Sequence, residues 1–123
     1  MTFHSAISYA RPEAPTRSLR SVEYDLLAQV TQRLRSAWEN RAADFPALVR
    51  AVTDNVQLWS TLASDVALPG NGLPDALRAR LFYLYEFTAH QSRAVLDDKA
   101  SVEVLSDINM AVMRGLRGDG GGR

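Results

Sequence analysis

The sequence predicts an all-α fold: a small bundle of four main helices, mostly antiparallel, with a mobile N-terminal arm and a disordered, glycine-rich C-terminal tail. Three observations predict it. Apolar residues recur with the 3.6-residue helical period in four segments, no segment keeps the alternation of a β-strand, and short connections separate the segments. The 123 residues, 46% hydrophobic and 23% charged, fit one globular domain. We therefore divide the chain into an arm (1–17), a single helical-bundle domain (18–117) and a tail (118–123).

The first two helices are recognised by their caps and their apolar faces. The first runs from about Ser18 or Ser21, either of which can cap it, to Arg41. The second begins near Asp44 as its N-cap and ends near Leu68, before a Pro-Gly-Asn-Gly stop. Their predicted core residues are Val22, Leu26, Leu27, Val30, Leu34, Ala37 and Trp38, then Leu48, Val49, Val52, Val56, Trp59, Leu62, Ala63 and Val66.

The last two helices are bounded by polar and glycine residues. The third begins around Pro74 and ends at the Asp-Asp-Lys segment, 97–99. The fourth is capped by Ser101 and closed by Gly115 and Gly118. Their predicted core residues are Leu77, Leu81, Leu84, Tyr85, Thr88, Val95 and Leu96, then Val104, Leu105, Ile108, Val112, Met113 and Leu116.

The composition argues against several classes of function. The chain has no cysteine and only two histidines, His4 and His90, so we expect neither a metal nor a cofactor. It contains no phosphate-binding or nucleophile motif, which predicts a protein that is not an enzyme. Fourteen basic residues balance 14 acidic ones, which argues against a nucleic-acid partner. No apolar run is long enough for a membrane span and no signal peptide is recognisable, so we expect a cytoplasmic protein with no membrane partner.

Several residues admit both a structural and a functional interpretation. Trp59 is in phase with its apolar stripe and is expected in the core. The connector 69–75 is a helix stop followed by a helix start, and it could also present Asn71 and Leu73 to a partner. Asn109, unfavourable inside a helix, either bonds across the bundle, for example to backbone groups of the connector, or is solvated.

The third helix carries more aromatic residues than one core face can hold. The predicted core face uses Tyr85, which leaves Phe82, Tyr83 and Phe87 on the sides of the helix. Such a helix is either central in the core or carries an exposed apolar patch of the kind that marks a protein interface. Both interpretations stay open from the sequence.

Several segments, taken in order, carry a family resemblance. The segment 58–65 (Leu-Trp-Ser-Thr-Leu-Ala-Ser-Asp) leads into 69–79 (Pro-Gly-Asn-Gly-Leu-Pro-Asp-Ala-Leu-Arg-Ala), and 107–109 (Asp-Ile-Asn) and 113–116 (Met-Arg-Gly-Leu) follow. Upstream stands 20–24 (Arg-Ser-Val-Glu-Tyr). In order and spacing they resemble the FlaF family of flagellar biosynthesis regulators of alphaproteobacteria, over about residues 9–116. The motif positions, most of them expected to be structural, are Trp59, Asp65, Asn71, Leu73, Pro74, Leu77, Arg78, Asn109 and Gly115.

The resemblance implies a non-enzymatic role in flagellum assembly. Members of that family are thought to promote flagellin production and export, and to oppose FlbT, a regulator that restrains flagellin synthesis at the mRNA level. We therefore expect a chaperone or secretion adaptor that binds flagellin, with an FlbT-type regulator as a second possible partner. The alternative is an RNA-binding post-transcriptional regulator of flagellin mRNA. For the partner surface we predict Arg78, Phe82, Tyr83 and Phe87.

Overall fold

Four α-helices make up the part of the chain that a computed structural model describes, residues 15–68, 70 and 72–117. They are α1 (Pro15–Glu39), α2 (Phe45–Ala67), α3 (Asp75–Leu96) and α4 (Glu103–Arg117). Within these ranges there is no strand, and the predicted all-α bundle of four helices is confirmed. Residues 1–14 of the predicted arm and residues 118–123 of the predicted tail lie outside the described residues.

The predicted caps of α2 and α4 are confirmed. Oδ1 of Asp44 accepts a hydrogen bond from the amide of Ala47 at 3.2 Å. Oγ of Ser101 accepts one from the amide of Glu103 at 3.1 Å. Each cap satisfies an amide that has no acceptor within its own helix, which is why the two helices begin at these residues.

The bounds of α1 differ from the prediction. The helix begins at Pro15, before the predicted Ser18, so residues 15–17 are helical rather than part of an extended arm. Proline fits the first position of a helix, because the amide that it lacks has no helical acceptor there. The helix ends at Glu39, where a turn follows in which the amide of Ala43 bonds to the carbonyl of Asn40 at 3.0 Å.

Each helix packs against two others. α1 packs against α2 and α4, and α3 packs mainly against α2 and only slightly against α4. α1 and α3 therefore lie diagonally across the bundle, as do α2 and α4. Short connections make consecutive helices antiparallel, as predicted.

One cluster of the hydrophobic core lies at the end of the bundle where α1 and α3 end and α2 and α4 begin. Its buried members are Leu34, Ala37, Leu48, Ala51, Val52, Val95, Val102 and Leu105. We call this the closed end and the opposite end the open end. α2 is buried along most of its length, from Leu48 to Val66, and is the central helix.

The predicted core face of the third helix is wrong in its first half. Thr88 and Val95 are buried as predicted, whereas Leu77 is 41% exposed. Three further predicted core residues, Leu81, Leu84 and Tyr85, are half-buried. The helical period is present in this stretch, but burial also requires a neighbour on each side, and α3 packs chiefly against α2.

Candidate interaction surface

Two aromatic pairs lie near the middle of α3. The rings of Tyr83 and Phe87 are stacked, with centroids 6.4 Å apart and planes at 21°. The rings of Phe82 and Tyr85 are tilted, with centroids 6.0 Å apart. Phe82 is 44% exposed and Tyr83 62% exposed, while Phe87 is half-buried. We call these four residues the aromatic surface; its exposure favours the second of the two interpretations that the sequence leaves open.

Apolar faces of α3 and α4 continue past the buried part of the bundle. Towards the open end, the last buried residue is Thr88 in α3 and Asn109 in α4. Six apolar residues continue these faces at helical spacing and are half-buried or exposed. They are Leu77, Leu81 and Leu84 in α3, and Val112, Met113 and Leu116 in α4; we call them the open face. Since α3 and α4 are antiparallel neighbours, both parts of the open face lie at the same end.

A buried cluster of hydrogen bonds lies where the open face begins. Nδ2 of Asn109 donates to Oγ1 of Thr31 at 3.0 Å and to Oδ1 of Asn55 at 2.8 Å. Oδ1 of Asn109 accepts from Nε1 of Trp59 at 2.9 Å. Side chains from α1, α2 and α4 thus meet at one amide. Because a buried amide is costly without hydrogen bonds, this cluster favours the one register of the three helices that satisfies it.

The cluster decides between the interpretations of Trp59 and Asn109. Trp59 has no exposed surface, which confirms its predicted place in the core. Asn109 is likewise fully buried and bonds across the bundle to side chains of α1 and α2, while none of its hydrogen bonds within the described residues goes to the backbone of the connector. The sequence predicts neither Thr31 nor Asn55 as its partner, since they lie 78 and 54 residues away from it along the chain.

Arg78 is predicted to belong to the partner surface. In the structure it forms a hydrogen bond with the last turn of α2. Its Nε donates to the carbonyl of Val66 at 2.9 Å, and its Nη1 bonds Oδ1 of Asp75 at 3.4 Å. The bond to Val66 satisfies one of the last carbonyls of a helix, which lack helical donors. The connector itself turns at Gly70 and Gly72, with φ of +80° and +94°, values that favour glycine. Arg78 therefore stabilises the junction of α2 and α3.

The remaining motif positions lie near the connector or at the open end of α4. Asp65 and Leu73 are half-buried, and Pro74 is the exposed N-cap of α3. Gly115 is exposed in α4, and nothing lies close to the place where a side chain would begin. Asn71 lies outside the described residues.

The described residues offer no metal centre. No three or more of their His, Cys, Asp and Glu side chains are placed so that they could hold a metal ion. Among the four described helices, none has the length and apolar character needed to cross a membrane.

Comparison with known proteins gives one family. A family model described as flagellar protein FlaF matches residues 5–116. The match includes ten residues before α1 and stops before the glycine-rich segment that follows α4. No curated protein and no solved structure matched the chain.

Proposed function

Since the chain belongs to the FlaF family of flagellar proteins, we propose that it is a non-enzymatic, cytoplasmic regulator that binds flagellin as a chaperone or secretion adaptor. In this role it promotes flagellin synthesis and export and opposes an FlbT-type regulator. The observation that carries the proposal is the apolar surface of α3 and α4 at the open end, where Leu77, Phe82 and Tyr83 are exposed and the other residues of the open face are only half-buried.

The aromatic surface supplies the chemistry of a protein interface. Grouped exposed apolar side chains mark places where partners bind, and aromatic residues contribute a large share of the binding energy. Phe82 and Tyr83 are both exposed, and each stacks or packs on a second ring that limits its freedom. A side chain that is already ordered loses less conformational entropy when a partner binds.

The open face fits a helical partner. An amphipathic helix binds by placing its apolar side in a groove or on an uncovered helix face, with contacts at helical spacing. The terminal segments of flagellin are expected to have this character, since they are disordered before assembly and apolar on one helical face. A flagellin helix laid along α3 and α4 would extend the bundle at its open end.

Calorimetry with purified flagellin monomer tests the proposal. We expect one-to-one binding with a Kd of about 1 µM or below, weakened about tenfold or more by Phe82→Ala or Tyr83→Ala. Phe45→Ala is the matched control, because Phe45 is 47% exposed but lies at the closed end. All three variants should keep the wild-type melting temperature, and truncation of either end of flagellin should locate the contact.

Two other partners serve as alternatives in the same experiment. In the first alternative, the protein binds an FlbT-type regulator and not flagellin. That result would mean that it controls the synthesis of flagellin and does not escort the finished protein. Binding to the flagellin leader mRNA that weakens steeply with salt would favour the RNA-binding alternative, since phosphate contacts release counterions.

A further inference from the structure

Two buried polar side chains beside the hydrogen-bonded cluster have an atom without a partner. Nδ2 of Asn55 and Oγ1 of Thr88 make no hydrogen bond within the described residues. Asn55 has no exposed surface and Thr88 is 1% exposed, so neither atom lies at the protein surface. A buried polar atom without a hydrogen bond is unfavourable and rare in native proteins. The two atoms therefore require a partner that the bundle itself does not supply.

The hydroxyl of Thr88 differs from other hydroxyls on the helices. Those of Thr31, Thr61 and Ser92 each donate to the carbonyl four residues earlier, at 2.7, 3.2 and 2.7 Å. Oγ1 of Thr88 makes no such bond to its own helix. It is therefore available to a group that lies outside α3.

Asn55 and Thr88 lie at about the same level of the bundle. α2 and α3 are antiparallel, and Nε of Arg78 bonds the carbonyl of Val66. Asn55 precedes Val66 by about three turns of α2. Thr88 follows Arg78 by about three turns of α3. The two unpartnered atoms thus belong to one layer, the layer of the buried cluster.

The open face leads directly to this layer. One side of α3 carries, at helical spacing, Leu77, Leu81, Leu84 and Thr88. α3 packs only slightly against α4, so few contacts within the bundle oppose a small movement of α3 away from α4. A partner helix that lies along the leucines would meet Thr88 as the first polar group of that face, with Asn55 beside it.

We propose that Thr88 and Asn55 determine the specificity of the open face, by bonding one asparagine or glutamine side chain on the apolar side of the bound flagellin helix. This inference rests on the proposed function. A carboxamide suits both atoms, since its oxygen accepts from Nδ2 of Asn55 and its nitrogen donates to Oγ1 of Thr88. A charged side chain is disfavoured, because burying a charge costs more than burying an amide.

Such a bond would fix the register of the flagellin helix. Apolar contacts alone are non-directional, so a helix held only by leucines can shift along the face at little cost. A buried polar pair is satisfied in one register and unsatisfied in the others, which is how a single asparagine sets the register of a coiled coil.

Calorimetry with flagellin monomer and variants of the full-length chain tests the proposal. Thr88→Val removes the hydroxyl and should weaken binding about tenfold without lowering the melting temperature. Thr88→Ser keeps the hydroxyl but loses a methyl group, so it should bind within about twofold of wild type although it melts at a lower temperature. Thr53→Val, at an exposed site of α2, is the matched control and should change neither quantity. Affinities that follow melting temperature across these variants would overturn the proposal.

A double-mutant cycle identifies the residue of flagellin. Each asparagine and glutamine in the terminal segments of flagellin is replaced by alanine in turn. We expect one replacement to weaken binding to wild type about tenfold and to have little effect on binding to the Thr88→Val variant. Independent losses at every position would contradict the proposed bond.

The remaining outcomes separate this inference from the proposed function. Equal affinity of wild type and Thr88→Val for flagellin would refute the inference and leave the proposed function intact. Absence of flagellin binding to wild type would refute both. A lower melting temperature of Thr88→Val without flagellin would show that water already satisfies the hydroxyl in the free protein, and would refute the inference alone.

Discussion

Nε1 of Trp59 donates a hydrogen bond to Oδ1 of Asn109, 2.9 Å away in space and 50 residues away along the chain. The two residues lie on α2 and α4, which are diagonal partners whose backbones do not come close together. Both side chains are fully buried. The bond therefore joins two helices across the bundle, at the level where the open face begins.

Replacing Asn109 by alanine should be among the most destabilising single changes outside the apolar core. It removes three hydrogen bonds and leaves Nε1 of Trp59 and Oδ1 of Asn55 buried without this partner. We expect the free energy of unfolding to fall by about 3 kcal/mol, measured by urea denaturation followed by circular dichroism. Asp107→Ala, at an exposed site in the same helix, is the control and should change it by less than about 0.5 kcal/mol. A loss below about 1 kcal/mol for Asn109→Ala would show that the cluster contributes little.

Two buried threonines should respond differently to replacement by valine. Oγ1 of Thr31 accepts from Asn109 and donates to the carbonyl of Leu27 at 2.7 Å, so Thr31→Val should destabilise by about 1–2 kcal/mol. Oγ1 of Thr88 is buried and has no hydrogen-bond partner within the described residues. Thr88→Val removes that unsatisfied hydroxyl at nearly constant volume and should be neutral or stabilising by up to about 1 kcal/mol. Thermal unfolding of the two variants side by side checks the signs, and equal losses would contradict the assignment.

Two leucines distinguish the ends of the bundle. Leu34 is fully buried at the closed end, and Leu77 is 41% exposed at the open end. Leu34→Ala should cost about 3 kcal/mol of unfolding free energy, because it creates a cavity in the core, and Leu77→Ala less than about 1 kcal/mol. Urea denaturation of both variants gives the comparison. If both lost similar amounts, the open face would be covered as firmly as the core.

Arg78 should matter for the junction of α2 and α3. Arg78→Met keeps the aliphatic stem but loses the bond to the carbonyl of Val66, and should cost about 1 kcal/mol. Amide hydrogen exchange near the end of α2 and the start of α3 should become faster. Arg80→Met is the control, since Arg80 is exposed on the same helix. Loss of flagellin binding at an unchanged rate of exchange would instead place Arg78 in the partner surface.

Much of the fold could be predicted because local chemistry determines it. Asp44 and Ser101 are recognisable as caps from the few residues around them, and four apolar periods give four helices. The predicted start of α1 at Ser18 is too late, because Pro15 suits a loop and the first position of a helix alike. Burial in α3 could not be predicted, since Leu77 and Leu81 have the correct period but their exposure depends on where α4 lies.

The site could be predicted only in part. An excess of aromatic residues in the third helix is visible in the sequence, so Phe82 and Tyr83 could be named but not assigned to core or surface. Asn109 is conspicuous in the sequence because asparagine is unfavourable inside a helix. Its partners Thr31 and Asn55 carry no such signal, as polar residues at these positions are equally compatible with solvent exposure.

Uneven burial also gives the molecule two tiers of local stability. The first half of α3 has no buried residue, so its amides should exchange through local opening well below the global free energy of unfolding, while those around Leu34 and Leu105 should require global unfolding. Substitutions that tighten the closed end would then raise the melting temperature without slowing exchange in the first half of α3. The melting temperature of this protein and the ability of α3 to rearrange when a partner binds can therefore change independently.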